Sequence, residues 1–172
     1  MRVWRLCSSR WRKSAFSGEG ARIAGGRWNR RGTAVVYCSG SLSLAVVEAL
    51  VHLGAADFPT ELVAFRVEIP DTLRVERLST LPRFWQRPLP PDAAQSIGSS
   101  WVERCRSAVL EVPSAAVPGE HNYLLNPRHS DFARISIGPA RPFAFDPRLL
   151  RSAPSPAAKR SVRRRKARRG VR

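Results

Sequence analysis

The chain has 172 residues, of which 43% are hydrophobic, and its formal net charge is +17 at pH 7. This length suits one domain with a terminal extension, and the apolar content excludes a wholly disordered chain. Residues 151–172 hold ten of the thirty Lys and Arg and none of the thirteen acids, so residues 1–150 carry 20 minus 13, or +7. The sequence therefore predicts a single domain over residues 1–150 and a disordered Arg/Lys-rich tail over residues 151–172.

The cysteines and the lengths of the apolar runs indicate in which cellular compartment the chain is expected. Cys7, Cys38 and Cys105 form no CxxC pair and are odd in number, which argues against a disulfide framework or a zinc site. The three histidines lack the HExxH spacing, so no metal site is expected. The chain has no signal-peptide pattern and no run of about eighteen apolar residues. We expect a soluble, cytoplasmic protein that binds no membrane.

The first half of the chain alternates irregular and regular segments. Residues 1–7 predict a short strand, whereas residues 8–32 are rich in Gly, Ser and Arg and predict a long irregular segment. Residues 33–38 are typical of a buried strand, and residues 42–53 are apolar for long enough to predict a mostly buried helix. Alternation over residues 61–69 predicts a strand with one solvated face.

The second half is richer in turns. Four prolines in residues 79–95 predict a surface loop, and residues 96–107 predict a short helix. Residues 108–112 and 132–137 are strand candidates separated by a turn-rich stretch, and residues 143–145 could add an edge strand. Short strands with few helices, in no regular alternation, predict a single compact α+β domain with a small mixed or antiparallel sheet.

One acidic residue stands out in the predicted apolar helix. Glu48 is the sole charged residue between Gly32 and Asp57. Burying a carboxylate without a partner is costly, so either this helix face is solvated or a nearby cation and ligand compensate. The residue pattern alone fits a polar position on an exposed helix as well as a functional carboxylate.

A glycine-rich loop precedes that helix. Arg27 follows two glycines, and its planar guanidinium offers paired donors to phosphate oxygens where the glycines leave space. A GxGxxG motif starting at Gly18 would need glycine where Ile23 stands, so a Rossmann site is not indicated. Ser114 lies in no GxSxG motif, so a serine hydrolase is not indicated either. A solvated arginine in a flexible loop fits this segment equally well.

Taken together, several segments resemble the RES domain over about residues 1–150. They are Arg5, GGRWN at residues 25–29, Tyr37, residues 45–52, PSA at residues 113–115 and NYLLNPRH at residues 122–129. The family is named for Arg, Glu and Ser, which match Arg27, Glu48 and Ser114 here, and Tyr37 matches its active-site tyrosine.

The resemblance implies the toxin of a bacterial RES-Xre toxin-antitoxin pair, with a fold similar to ADP-ribosyltransferases. Such proteins consume NAD by hydrolysis, phosphorolysis or transfer to protein, so NAD is the expected substrate and no further cofactor is expected. The expected partner is an Xre-like helix-turn-helix antitoxin. Nucleic acid would be contacted through that antitoxin or weakly through the basic tail, and the sequence does not fix whether the chain forms a homo-oligomer.

The resemblance also implies roles for the matched residues. By similarity to ADP-ribosylating folds, Glu48 would stabilise the oxocarbenium-like cation that forms as nicotinamide leaves. Arg27 would bind the pyrophosphate or the nicotinamide ribose, and Tyr37 would stack on the nicotinamide ring. Arg5 and Ser114 are the predicted additional contacts to NAD.

Two competing hypotheses stay open at the level of the sequence. A mono-ADP-ribosyltransferase acting on a protein would use the same residues but a different acceptor. A non-enzymatic protein could instead hold nucleic acid through Trp28, Phe84, Trp85 and the basic tail. The second hypothesis predicts salt-dependent binding without turnover.

Overall fold

The structure of the protein is a computed structural model that describes residues 1–52 and 61–150. The strands are β1 (Arg2–Ser8), β2 (Val36–Ser39), β3 (Leu62–Glu68), β4 (Val75–Arg77), β5 (Val109–Pro113), β6 (His121–Leu125), β7 (Ser136–Ile137) and β8 (Arg141–Phe143). The α-helices are α1 (Glu19–Ala24), α2 (Leu42–His52) and α3 (Asp92–Arg104), and 3₁₀ turns cover Ser9–Ser14, Ser130–Arg134 and Pro147–Leu150. The predicted basic tail lies outside the described residues.

The described strands form one eight-stranded sheet in the order β4-β5-β6-β2-β1-β3-β7, with β8 also paired to β3. β4 and β5 run parallel, and the other pairings are antiparallel. The sheet is therefore mixed, and the predicted single α+β domain is confirmed. β1 and β2 lie at its centre, and the one register pair between them is Trp4 with Ser39.

The core has two parts because alternate residues of a strand point to opposite faces of the sheet. Val109 and Leu125 are buried in one hydrophobic cluster, and Leu110 and Leu124 are buried in another. The second cluster also contains Trp28, which precedes β2, and residues of α3. The glycine-rich loop and α3 therefore pack together on one face of the sheet.

Several predicted elements hold with small shifts. The strand expected at residues 1–7 is β1, and the helix expected at residues 42–53 is α2, whose last predicted residue falls outside the described part. The strands expected at residues 61–69 and 108–112 are β3 and β5. The strand expected at residues 33–38 is the shorter β2, and the edge strand expected at residues 143–145 is β8, displaced toward the N-terminus.

Other predictions were wrong. The segment expected to be irregular, residues 8–32, contains α1 and a 3₁₀ turn. The helix expected at residues 96–107 is present as α3, but it begins at Asp92, directly after the extended residue Pro91, so the predicted loop is shorter than expected. Of the strand expected at residues 132–137, the first three residues lie in a 3₁₀ turn and only the last two form a strand, β7. The turn-rich stretch of residues 113–127 contains β6, which pairs with both β5 and β2.

The described helices include none that is long and apolar enough to cross a membrane.

Candidate active site

A cavity of about 440 Å³ lies beside the centre of the sheet, with walls formed by β1, β2, α2 and the glycine-rich loop. Arg5, Arg27, Tyr37 and Glu48 all line it. Ser114 reaches the same place through a hydrogen bond to Glu48. The fold thus gathers every predicted site residue around one cavity, whose volume falls within the range of about 300–1,000 Å³ that small-ligand sites occupy.

Helix α2 carries Glu48 to the cavity. The Ser41 hydroxyl accepts a hydrogen bond from the Leu44 N–H (3.0 Å), which caps the start of this helix. One turn later, Glu48 Oε1 accepts hydrogen bonds from Ser114 Oγ and from Asn122 Nδ2, each at 2.6 Å. No described residue donates to Glu48 Oε2. The partly buried carboxylate is therefore held through one oxygen by neutral donors, and its second oxygen stays available to a ligand.

Ser114 has a hydroxyl that is fully used. It donates to Glu48 and accepts hydrogen bonds from the N–H groups of Ala116 (3.1 Å) and Val117 (3.0 Å). The serine is only 3% exposed. This geometry directs Ser114 toward Glu48 and fixes the turn that follows β5.

Two further polar residues of this site were not singled out from the sequence. Asn122 donates to Glu48, and its Oδ1 accepts a hydrogen bond from Ser39 Oγ at 2.7 Å. Both residues line the cavity. The signals were present, since Asn122 opens the NYLLNPRH segment and Ser39 lies two positions after Tyr37 on a strand. Their pairing was not predictable because β6 was taken for a turn-rich stretch.

Arg27 connects the glycine-rich loop to the proline-rich loop that precedes α3. Its Nη1 donates to the carbonyl oxygens of Trp85 and of Arg87, the latter at 2.8 Å. The rings of Trp28 and Trp85 pack with centroids 5.6 Å apart. Partial burial lowers the pKa of the Arg27 guanidinium, and the negative charge of Glu48 opposes that shift. Arg27 and Glu48 therefore attract each other electrostatically across the cavity.

Tyr37 joins β2 to the glycine-rich loop through its hydroxyl. The oxygen accepts the Trp28 N–H at 3.1 Å and donates to Asn29 Oδ1 at 2.8 Å. Burial raises the pKa of the Tyr37 phenol well above its ordinary value, so the hydroxyl keeps its proton and its donor role. A Cβ at Gly26 would lie 2.6 Å from this hydroxyl, which explains the glycine there.

Within the described part of the chain, Arg5 makes one side-chain hydrogen bond. Its Nη1 donates to the Tyr37 carbonyl oxygen at 2.8 Å, and its guanidinium lies 6.0 Å from the centroid of the Phe16 ring. Its buried Nε has no hydrogen-bond partner among the described residues. Because buried donors are normally paired, this nitrogen is an exception within the described fold.

One of the aromatic residues on which the nucleic-acid-binding hypothesis relied is buried. Trp28 is only 2% exposed and belongs to the core, so its ring cannot serve as a platform for a base. Phe84 is exposed, but an arginine, Arg87, already covers its ring at 4.0 Å from the centroid. Among the described residues, no group of three or more His, Cys, Asp or Glu side chains could hold a metal ion.

Comparison with known proteins gives a consistent result. The RES domain profile matches residues 2–146. Toxin Res of Photorhabdus laumondii is 40% identical over 154 residues, covering 88% of this chain and 99% of that protein. The Prs ADP-ribosylating toxin of a Sphingobium species is 36% identical over 156 residues, covering 87% of this chain and 97% of that protein.

The fold is also similar to a solved structure. The crystal structure of the M. tuberculosis MbcT-MbcA toxin-antitoxin complex contains a chain that superposes with a TM-score of 0.68 at 18% identity. The superposition covers 87% of this chain and 86% of that chain. At this identity the similarity establishes the fold.

Proposed function

The chain belongs to the RES domain family, and we propose that it is the toxin of a toxin-antitoxin system and cleaves the nicotinamide glycosidic bond of NAD. The observation that carries the proposal is the Glu48 carboxylate, fixed by two hydrogen bonds of 2.6 Å on the wall of a cavity that Arg27 also lines. Support comes from the relatives named Toxin Res and from the one named an ADP-ribosylating toxin.

The proposed reaction needs one carboxylate and does not need a second residue that acts as a general acid. When the glycosidic bond breaks, its electron pair goes to the nicotinamide nitrogen, and nicotinamide leaves as a neutral molecule. The leaving group is already cationic before cleavage, so it needs little protonation. Positive charge instead develops at the ribose carbon, and Glu48 Oε2 is the oxygen that would face it. A fixed charge in a partly buried site stabilises such a cation more strongly than solvent does.

The arginines of the cavity would hold the rest of the substrate. Arg27 uses Nη1 for the two loop carbonyls. Its Nη2 and Nε make no hydrogen bond with a described residue, so they are available to pyrophosphate or ribose oxygens. Arg5, which lines the same cavity, would add a second positive charge. The Tyr37 ring, whose hydroxyl is already used, would contribute its face to the nicotinamide ring.

The acceptor of the ADP-ribosyl group distinguishes three forms of the activity. Water would give ADP-ribose and release a proton, inorganic phosphate would give ADP-ribose 1″-phosphate, and a protein side chain would give a modified protein. We expect the purified chain to release nicotinamide from NAD. Mass spectrometry of the products, with and without phosphate and with cell extract, assigns the acceptor. A folded chain that releases no nicotinamide under any of these conditions contradicts the proposal.

The toxin part of the proposal has its own test. Expression of the chain should lower cellular NAD and arrest growth, whereas a Glu48→Gln variant should do neither. Co-expression with an Xre-like antitoxin encoded beside it should restore growth, as expected if one segment of that protein covers the cavity. Normal growth of cells that contain active, soluble enzyme would contradict the toxin assignment.

A further inference from the structure

We propose that Asn122 and Ser39 form a positioning pair that holds the Glu48 carboxylate in the orientation required for bond cleavage. The inference rests on the proposed function, because it assigns the two residues to the same chemical step. Neither residue is required to touch NAD for this role. Their effect would pass through Glu48.

The pair links the centre of the sheet to helix α2. Ser39 in β2 and Asn122 in β6 are direct register partners on neighbouring antiparallel strands. Ser39 Oγ donates to Asn122 Oδ1 at 2.7 Å, and Asn122 Nδ2 donates to Glu48 Oε1 at 2.6 Å. Ser39 is only 5% exposed. The chain of hydrogen bonds therefore starts from a buried hydroxyl that the strand itself holds in place.

The direction of this chain follows from what each group can do. An ionised carboxylate only accepts, so the amide of Asn122 must present its NH₂ to Glu48. Its oxygen then faces Ser39, whose hydroxyl supplies the donor. Without Ser39 this partly buried oxygen would lose its partner, and the amide would be held through its NH₂ group alone. With Ser39 in place, both ends of the amide are satisfied in one orientation only.

Two hydrogen bonds to the same carboxylate oxygen restrict its position more than one hydrogen bond to each oxygen would. Ser114 and Asn122 both donate to Glu48 Oε1, although one follows β5 and the other lies in β6. The backbone bond from Ser114 N–H to Glu120 O (2.8 Å) closes the turn between these strands and fixes the spacing of the two donors. The two donors fix the position of Oε1 from two directions, and Oε2 is left for the ribose.

A double-mutant cycle tests the pair. Asn122→Ala should lower kcat about tenfold or more, with KM changed less than about threefold, because the carboxylate loses orientation but the arginines remain. Ser39→Ala should lower kcat by roughly threefold, since it acts only on Asn122. In the Asn122→Ala background, Ser39→Ala should cause no further loss.

Ser107→Ala is the matched control. Ser107 is another buried serine, but it bonds Trp101 and Glu76 away from the cavity. This variant should be less stable than the parent, with an unchanged kcat. Circular dichroism of every variant identifies any that do not fold.

The outcomes separate the two proposals. If the folded parent releases no nicotinamide, the proposed function fails and this inference fails with it. If the parent is active and both single variants keep parental kcat, only the inference is overturned. Losses that multiply in the double variant, or that appear in KM with kcat unchanged, would mean that the two residues contact NAD independently, and they would also overturn it.

Discussion

The two sides of the cavity are built in different ways. On the acidic side, defined by Glu48, Ser114, Asn122 and Ser39, side chains hold one another across helix α2 and strands β2 and β6. On the basic side, Arg27 is held by backbone carbonyls of the proline-rich loop. The acidic side thus depends on the identity of each partner, whereas the basic side depends on the path of a loop.

This difference assigns the two sides to different steps. The Glu48 carboxylate is held by side chains that belong to the sheet and to the turn after β5, whereas Arg27 is held by backbone atoms of a loop. We therefore expect changes on the acidic side to act on bond cleavage and changes on the basic side to act on NAD binding.

The largest expected effect is at Glu48. Glu48→Gln keeps the size of the side chain and one oxygen, but it removes the charge that we propose stabilises the developing cation. We expect kcat for nicotinamide release to fall on the order of a hundredfold or more, with KM nearly unchanged. Circular dichroism should match the parent. Near-parental turnover would remove Glu48 from the mechanism and leave it as a polar residue on a helix.

Arg27→Ala should change KM more than kcat, which is the opposite of the result expected for Glu48→Gln. Loss of the guanidinium removes the expected phosphate or ribose contact and also frees the proline-rich loop, so KM should rise about tenfold or more. Calorimetric titration of NAD in the Glu48→Gln background, with and without Arg27→Ala, isolates the binding effect. A fall in kcat with unchanged affinity would place Arg27 in the chemical step and break the contrast between the two sides.

Tyr37 separates the role of a ring from that of a hydroxyl. Tyr37→Phe leaves the Trp28 N–H and Asn29 Oδ1 without their partner, so it should destabilise the fold by about 1–3 kcal/mol. If the ring stacks on nicotinamide, turnover should fall only a few-fold in Tyr37→Phe and clearly further in Tyr37→Ala. Urea unfolding and steady-state kinetics of both variants measure the two effects. Equal turnover in the two variants would exclude stacking.

The smallest effect is expected from the tail. Truncation after Leu150 removes ten of the thirty Lys and Arg but none of the described residues that line the cavity. Nicotinamide release should stay within a few-fold of the full chain, while salt-sensitive DNA binding should decrease because counterion release scales with the phosphates neutralised. Loss of turnover in a folded truncated chain would show that the tail takes part in the site.

Local patterns in the sequence predicted several elements because their cause is local. The alternation that predicted β3 and the apolar run that predicted α2 reflect which faces are buried, and burial leaves a period in the sequence. The isolation of Glu48 in that run marked it as a candidate, and the resemblance to the RES domain supplied Arg27, Tyr37 and Ser114. Strand β6 escaped prediction because its short, partly polar sequence between turn residues has no such period.

Only the tertiary structure brought the site together. Glu48 is separated by 66 residues from Ser114 and by 74 residues from Asn122, and Arg27 is separated by 58 residues from Trp85. A hydrogen bond between such residues leaves no spacing in the sequence, because its geometry depends on the order of strands in the sheet. The sequence by itself determined which residue types were available, and the pairing of β6 with β5 and with β2 decided which of them hold the carboxylate.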